Sequence, residues 1–178
     1  AQRVSYLNLG EETLAVQNLD LSHFSTFHWG VHRSLGLGIL YRFREAFEGD
    51  SSDDVRLTQQ FNFVTRANSL RFGHRLRTEQ RLLPSQTLHR FRYRFSLDGP
   101  LQGKKLDPGE LYWIGGLEGL LTAGKGLPPI YSLRTSGWLG YLANSTIKVQ
   151  VGGEYRVVNL WEDNRPFLFL LTSLVINL

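Results

Sequence analysis

The chain has 178 residues, with 20 Lys and Arg against 16 Asp and Glu, and it contains no cysteine. This length suits a single domain covering residues 1–178. The absence of cysteine excludes disulfides, thiolate metal sites and cysteine nucleophiles. The positive charge indicates anionic partners, either external ones such as nucleic acid or lipid, or acidic groups within the protein. No apolar run reaches the ~20 residues that a membrane-spanning helix needs.

Alternation of apolar and polar residues recurs along the whole chain, and helical periodicity is nearly absent. Residues 24–34, which include His28, Trp29 and His32, alternate poorly and are predicted to form a connection or a bent strand. Residues 48–54, 98–109 and 124–129 are predicted to form loops. The predicted strands, in chain order, are 2–9, 13–23, 35–47, 55–65, 70–82, 87–97, 110–121, 130–142, 146–160 and 166–178.

The clearest alternation lies in residues 70–97, which predict two strands joined by a turn at residues 83–86. This turn places Arg75 opposite Arg94, Arg77 opposite Arg92, and Glu79 opposite Arg90. Like charges that face each other are destabilising, and buried charges need partners. Carboxylates on nearby strands or bound anions must therefore neutralise the arginines. The predicted charge network consists of Arg75, Arg77, Glu79, Arg81, Arg90, Arg92, Arg94, Glu110, Glu118, Arg134, Glu154 and Arg156.

Two folds fit a sheet with one apolar and one charged face. In a soluble sandwich or lipocalin-like barrel, the apolar face would form the core. In a membrane barrel, it would meet lipid and the charges would fill the lumen. So many aromatic rings would overfill a small soluble barrel. We therefore expect an all-β fold, an antiparallel up-and-down transmembrane β-barrel of about ten strands, with eight or twelve as alternatives. Four aromatic residues near strand ends suit interfacial girdles: Trp113, Tyr131, Tyr141 and Trp161.

The hairpin also carries a resemblance to a known family. Its first strand reads HRLRTEQR from His74 to Arg81, and its second continues with RFRYRF from Arg90 and with Pro100 and Leu101. This signature resembles an uncharacterised family of bacterial outer-membrane proteins, known only as a domain of unknown function and common in Bacteroidota. The resemblance implies an outer-membrane barrel in a Gram-negative bacterium. It implies no activity.

The expected role is that of a structural or accessory subunit of a cell-envelope assembly. A narrow anion pore or a lipid- or anion-binding barrel is the first alternative. The expected location is the bacterial outer membrane, where the mature chain starting at Ala1-Gln2 would follow a cleaved signal peptide. Expected partners are outer-membrane lipid and lipopolysaccharide, together with other envelope proteins. Nucleic acid is not expected, because the arginines and aromatic rings lie on opposite faces.

An envelope lipid hydrolase is the second alternative, because His74 and His89 would lie on the lipid-facing side. The set of nucleophile, base and orienting acid is incomplete around them, so no catalytic residue and no enzyme is predicted. His23, His28 and His32 cannot supply three converging ligands, so neither a metal nor a cofactor is expected.

Overall fold

The structure, a computed structural model, describes residues 2–3, 18–44, 54–161 and 165–176. These residues form one antiparallel sheet in which each strand pairs with its neighbours in sequence. No helix in this part of the chain has the length and apolar character needed to cross a membrane. The strands are β1 (Gln2–Arg3), β2 (Asn18–Trp29), β3 (Arg33–Arg44), β4 (Asp54–Ala67), β5 (Leu70–Leu82), β6 (Thr87–Pro100), β7 (Leu111–Gly124), β8 (Leu127–Leu142), β9 (Ile147–Val158) and β10 (Arg165–Ile176).

The predicted antiparallel up-and-down order is confirmed, and nine of the strands are long. Within the described residues the sheet is open, because β10 pairs only with β9 and β1 pairs only with β2. Two predicted segments lie mostly outside the described residues: strand 2–9 beyond its first two positions, and loop 48–54 before its last.

The central hairpin has the predicted register. Leu83 and Gln86 exchange backbone hydrogen bonds and close the turn. Arg75 pairs with Arg94, Arg77 with Arg92, and Glu79 with Arg90. The turn therefore fixes which charges face each other, as the alternation indicated.

Residues 24–34 were predicted to form a connection or a bent strand, and most of them are strand, with a connection confined to residues 30–32. Strand β2 continues to Trp29, and β3 begins at Arg33 after a short turn in which Gly30 adopts a φ of 67°. The alternation is obscured because Phe24 lies on the charged face of the sheet. Its ring occupies the space that side chains at Gly36 and Gly38 would fill. These glycines therefore make room for Phe24.

The predicted loops on either side of β7 are also shorter than expected. Strand β6 extends to Pro100, and only Lys125 and Gly126 separate β7 from β8. The prolines at 128 and 129 favoured a loop, but they lie in the first residues of β8, beside a register shift between Thr122 and Gly124. Proline is tolerated at such irregularities because no regular ladder bond is lost there.

Side chains on the charged side of the sheet meet across an intervening strand. The Arg75 Nη2 atom of β5 lies 3.2 Å from Glu118 Oε2 of β7, across β6. The amide of Gln150 on β9 donates to the Tyr112 hydroxyl on β7 at 2.8 Å, across β8. Asp54, Glu79 and Glu118 on this side are almost fully buried, although among the described residues each strand contacts only its neighbours in the sheet, so the sheet curves and the charged residues lie on its concave face.

Two names are used below for the faces of the sheet. The concave face is the arginine face, which carries Arg75, Arg92, Glu118 and Arg134. The convex face is the apolar face, which carries Leu76, Tyr93, Leu117 and Leu133.

Burial follows the curvature and is the reverse of that in a water-soluble sheet. On the arginine face, Asp54 is 0%, Glu79 6% and Glu118 7% exposed. On the apolar face, Leu76 is 54% and Leu170 84% exposed. The sheet thus encloses its charges and presents its aliphatic and aromatic side chains outward.

The replacement Gly140→Ala tests how tightly the concave face is filled. The Tyr112 ring lies where a side chain at position 140 would stand, so the added methyl group forces that ring away from Gln150. Overpacking of this kind costs about 1–3 kcal/mol. We expect a lower urea midpoint for the folded protein in detergent. Gly137→Ala is the matched control on the same strand, because nothing lies within 4 Å of its new methyl group. Equal midpoints for the two variants would contradict this packing.

Candidate functional site: the arginine face

Three buried carboxylates organise the arginine face, and each of them is shared by two arginines. Asp54 on β4 accepts hydrogen bonds from Arg56 and Arg81, each with a guanidinium nitrogen 2.5 Å away. Glu79 on β5 lies 3.6 Å from Arg90 and 3.7 Å from Arg92. Glu118 on β7 lies 3.2 Å from Arg75 and 3.3 Å from Arg134. This sharing links the strands from β4 to β8 through their side chains.

Further pairs continue the network on both sides. Glu154 and Arg156 form an ion pair along β9 at 2.5 Å, and the Arg156 guanidinium lies over the Phe169 ring of β10 at 4.7 Å from its centroid. Asp20 on β2 accepts two hydrogen bonds from the Arg42 guanidinium on β3, one at each carboxylate oxygen. Ion pairing therefore extends from β2 to β9.

Two of the predicted network arginines lack a carboxylate among the described residues. Arg77 donates from its Nε to the Gln60 side-chain oxygen at 2.8 Å, and a second guanidinium nitrogen contacts the same oxygen. Arg94 has neither an ion pair nor a hydrogen bond within the part of the chain that the structure describes. Its direct partners across the sheet are Arg75 and Glu118. Arg94 thus contributes a positive charge that no described carboxylate contacts.

Glu110 is the one predicted member that the structure places apart. It precedes β7, and its carboxylate accepts a hydrogen bond from the Asp107 backbone within the connection between β6 and β7. The other eleven predicted residues all lie on the arginine face, although only some of them touch.

Sequence reasoning missed several residues that complete the network. Asp54 was assigned to an acidic loop, and Asp20 and Arg42 were not assigned to a site. The alternation itself held the missing signal, because Asp54 precedes Arg56 by two positions and so shares its face. The contact between Tyr112 and Gln150 had no such signal, since it depends on the curvature of the sheet.

The histidines considered for catalysis lie on the apolar face. The His74 Nδ1 atom is 2.8 Å from the Tyr93 hydroxyl, and the His74 ring packs beside Phe95 with centroids 5.2 Å apart. No carboxylate is found to orient this ring among the described residues. Within those same ranges, no three His, Cys, Asp or Glu side chains converge as a metal site would require.

Residues 7–166 match the protein family described as "Protein of unknown function (DUF2490)". The chain belongs to this family. No curated protein and no solved structure matches it. The matched region includes the central hairpin and nearly all of the arginine face. The description of the family assigns no activity.

Removing the charge of Glu118 tests the sharing of carboxylates. Glu118→Gln leaves the positive charges of Arg75 and Arg134 close together without the carboxylate that both of them contact. Breaking a buried ion pair costs about 3–5 kcal/mol, because the remaining charge stays buried. We expect a marked fall in the urea midpoint of the folded protein. Glu110→Gln removes the same charge from the β6–β7 connection and should change stability by less than about 0.5 kcal/mol. A small effect at both positions would argue against this role for Glu118.

Proposed function

We propose that this protein is a small β-barrel of the bacterial outer membrane, and that its charged interior serves a structural or accessory role in the cell envelope. The observation that carries this proposal is the inverted burial of the sheet. Large exposed apolar surfaces mark contact with lipid or protein. Here the exposed apolar side chains alternate along nearly every strand, as they do around a membrane barrel.

The dimensions of β8 support a membrane position. Tyr131 and Tyr141 are both exposed on its apolar face, and the exposed Leu133 and Leu139 lie between them. Ten residues of strand span about 33 Å. At the tilt of about 40° that is usual in barrels, this corresponds to a height of about 25 Å, which equals the usual apolar band. Trp161 packs edge-on against Tyr131 with centroids 6.4 Å apart, which adds a second ring at that boundary.

The strand count supports closure of the sheet. In an up-and-down sheet, the first and tenth strands run in opposite directions, so β1 can pair with β10 as an antiparallel neighbour. The long, apolar β10 otherwise leaves an open edge of a kind that proteins avoid. Bacterial single-chain barrels have even strand numbers, which lets the first and last strands pair in antiparallel orientation.

Cysteine cross-linking tests closure, and the chain has no cysteine that would interfere. Position 2 pairs with Leu19, which lies on the apolar face. Its partners on β10 must share that face, and these positions are 168, 170 and 172. We expect Gln2→Cys to form an intramolecular disulfide with a cysteine at one of these three positions, which sample the staggers of a closed sheet.

The matched controls are Phe169→Cys and Leu171→Cys, which lie on the arginine face of β10 and should cross-link poorly with Gln2→Cys. Failure at all three apolar-face positions would reject closure between β1 and β10. Cross-links formed only between molecules would reject it as well.

The structural role rests on how the charged face is filled. Two spaces beside the ion pairs have volumes of 120 and 170 Å³, and a third of 470 Å³ lies on the same face beside Arg71 and Gln150. All three are small beside the lumen of a porin. Carboxylates shared between strands hold the sheet together from within. This interior favours a rigid structural protein of the membrane over an open channel.

Membrane fractionation and heat modifiability test the location. We expect the protein in the outer-membrane fraction, and we expect the unboiled, detergent-solubilised protein to migrate differently on a denaturing gel from the boiled sample. A folded barrel resists unfolding by the detergent because its backbone hydrogen bonds are closed. A soluble protein with no mobility shift would reject the proposal. Steady conductance in planar bilayers would replace the structural role with an anion pathway.

A further inference from the structure

The centre of the arginine face contains a pocket that the ion-pair network does not fill. It has a volume of 120 Å³ and lies between β5 and β9. We call it the Arg94 pocket. Its lining includes Arg92, Arg94, Gly116, Arg134 and Ser136.

Arginines with unused hydrogen-bond donors surround this pocket. The Nε atoms of Arg92 and Arg134 are buried and have no acceptor. Arg94 makes no ion pair or hydrogen bond with any described residue. A buried charged donor without an acceptor is costly, since it has lost its water. An oxyanion in this pocket would accept hydrogen bonds from Arg94 and would offset the charges of Arg92 and Arg134, although it would not reach their buried Nε atoms.

Gly116 and Ser136 shape the pocket. A side chain at position 116 would start 2.7 Å from the Ser136 hydroxyl and 3.3 Å from the Arg94 Nη2 atom. Only glycine therefore leaves this space open. The Ser136 hydroxyl adds a neutral donor beside the Arg94 guanidinium.

Charge and size define the ligand. Four arginines line the pocket together with two carboxylates, Glu118 and Glu154, so its lining carries two positive charges in excess. Glu118 already serves Arg75 and Arg134, and Glu154 serves Arg156. A volume of 120 Å³ holds roughly four waters at about 30 Å³ each, which is enough for a tetrahedral oxyanion. Guanidinium forks match the oxygen spacing of phosphate.

We infer that the Arg94 pocket binds a small divalent oxyanion of the phosphate class. The pocket opens on the arginine face, away from the exposed apolar side chains, so its ligand is a free ion and not a lipid headgroup. The inference concerns the curved sheet itself and holds whether or not the sheet lies in a membrane. It gives the charged interior a specific ligand in addition to its structural role.

The test is calorimetric titration of the folded, detergent-solubilised protein with inorganic phosphate, with sodium chloride holding the ionic strength constant. We expect saturable binding of one phosphate that chloride does not reproduce. Arg94→Gln should weaken binding by about tenfold or more, because a hydrogen bond to a charged group is lost. Arg71→Gln is the matched control, because it removes one charge from the same face at the exposed ion pair with Asp98. It should bind phosphate within about twofold of the original protein, since surface pairs contribute little.

A stability measurement separates binding from a purely structural role of Arg94. In phosphate-free buffer, Arg94→Gln should be at least as stable as the original protein, because it relieves repulsion with Arg75. Added phosphate should raise the melting temperature of the original protein and not that of the variant. A variant that is less stable without phosphate would assign Arg94 a structural role and overturn the inference.

Two further outcomes would also overturn the inference. One is equal stabilisation by phosphate and chloride, which would indicate only general screening. The other is tighter binding of a short-chain phosphatidic acid than of inorganic phosphate, which would assign the pocket to lipid. Ser136→Ala keeps every charge and provides a second variant if Arg94→Gln does not fold. It should weaken phosphate binding severalfold, and unchanged affinity would count against the pocket.

Discussion

The fold depends on one electrostatic constraint, which is that guanidinium groups enclosed by a curved sheet must find acceptors there. Directly opposed arginines such as Arg75 and Arg94 repel each other, and burial strengthens that repulsion. The sheet meets the constraint by sharing Asp54, Glu79 and Glu118, each between two arginines that lie on the same strand as the carboxylate or on one of the next two strands. Each carboxylate thereby becomes a cross-link, and the charges that threaten the fold also hold its strands together.

Curvature is what allows this sharing, and it depends on small residues beside large ones. Tyr112 lies over Gly140 and reaches Gln150, while Phe24 lies over Gly36 and Gly38. A side chain at any of these glycines would displace the ring that lies over it. Aromatic rings therefore fill part of the concave face, and charged side chains fill the rest.

The excess of arginine over carboxylate connects the two proposals. A face that only needed cross-links could have matched charges one to one. Here each buried carboxylate serves two arginines, and Arg77 and Arg94 contact no described carboxylate. Arg77 donates to Gln60, whereas Arg94 has no described acceptor, so the interior favours a mobile anion at its centre. An outer-membrane barrel would surround that centre with a low dielectric, which strengthens the attraction. For a member of a family without an assigned activity, this pocket offers a chemical starting point.

The sequence by itself determined the alternating strands, the register of the central hairpin and the face on which eleven of the twelve predicted network residues lie. These features follow from a period of two and from one short turn, which are local properties. The tertiary structure decided which arginine meets which carboxylate, because Arg75 on β5 reaches Glu118 on β7 across an intervening strand. It also decided that β2 runs through Phe24, since the glycines that receive this ring lie on another strand. Contacts of this kind depend on distances between strands, and no pattern within one strand encodes them.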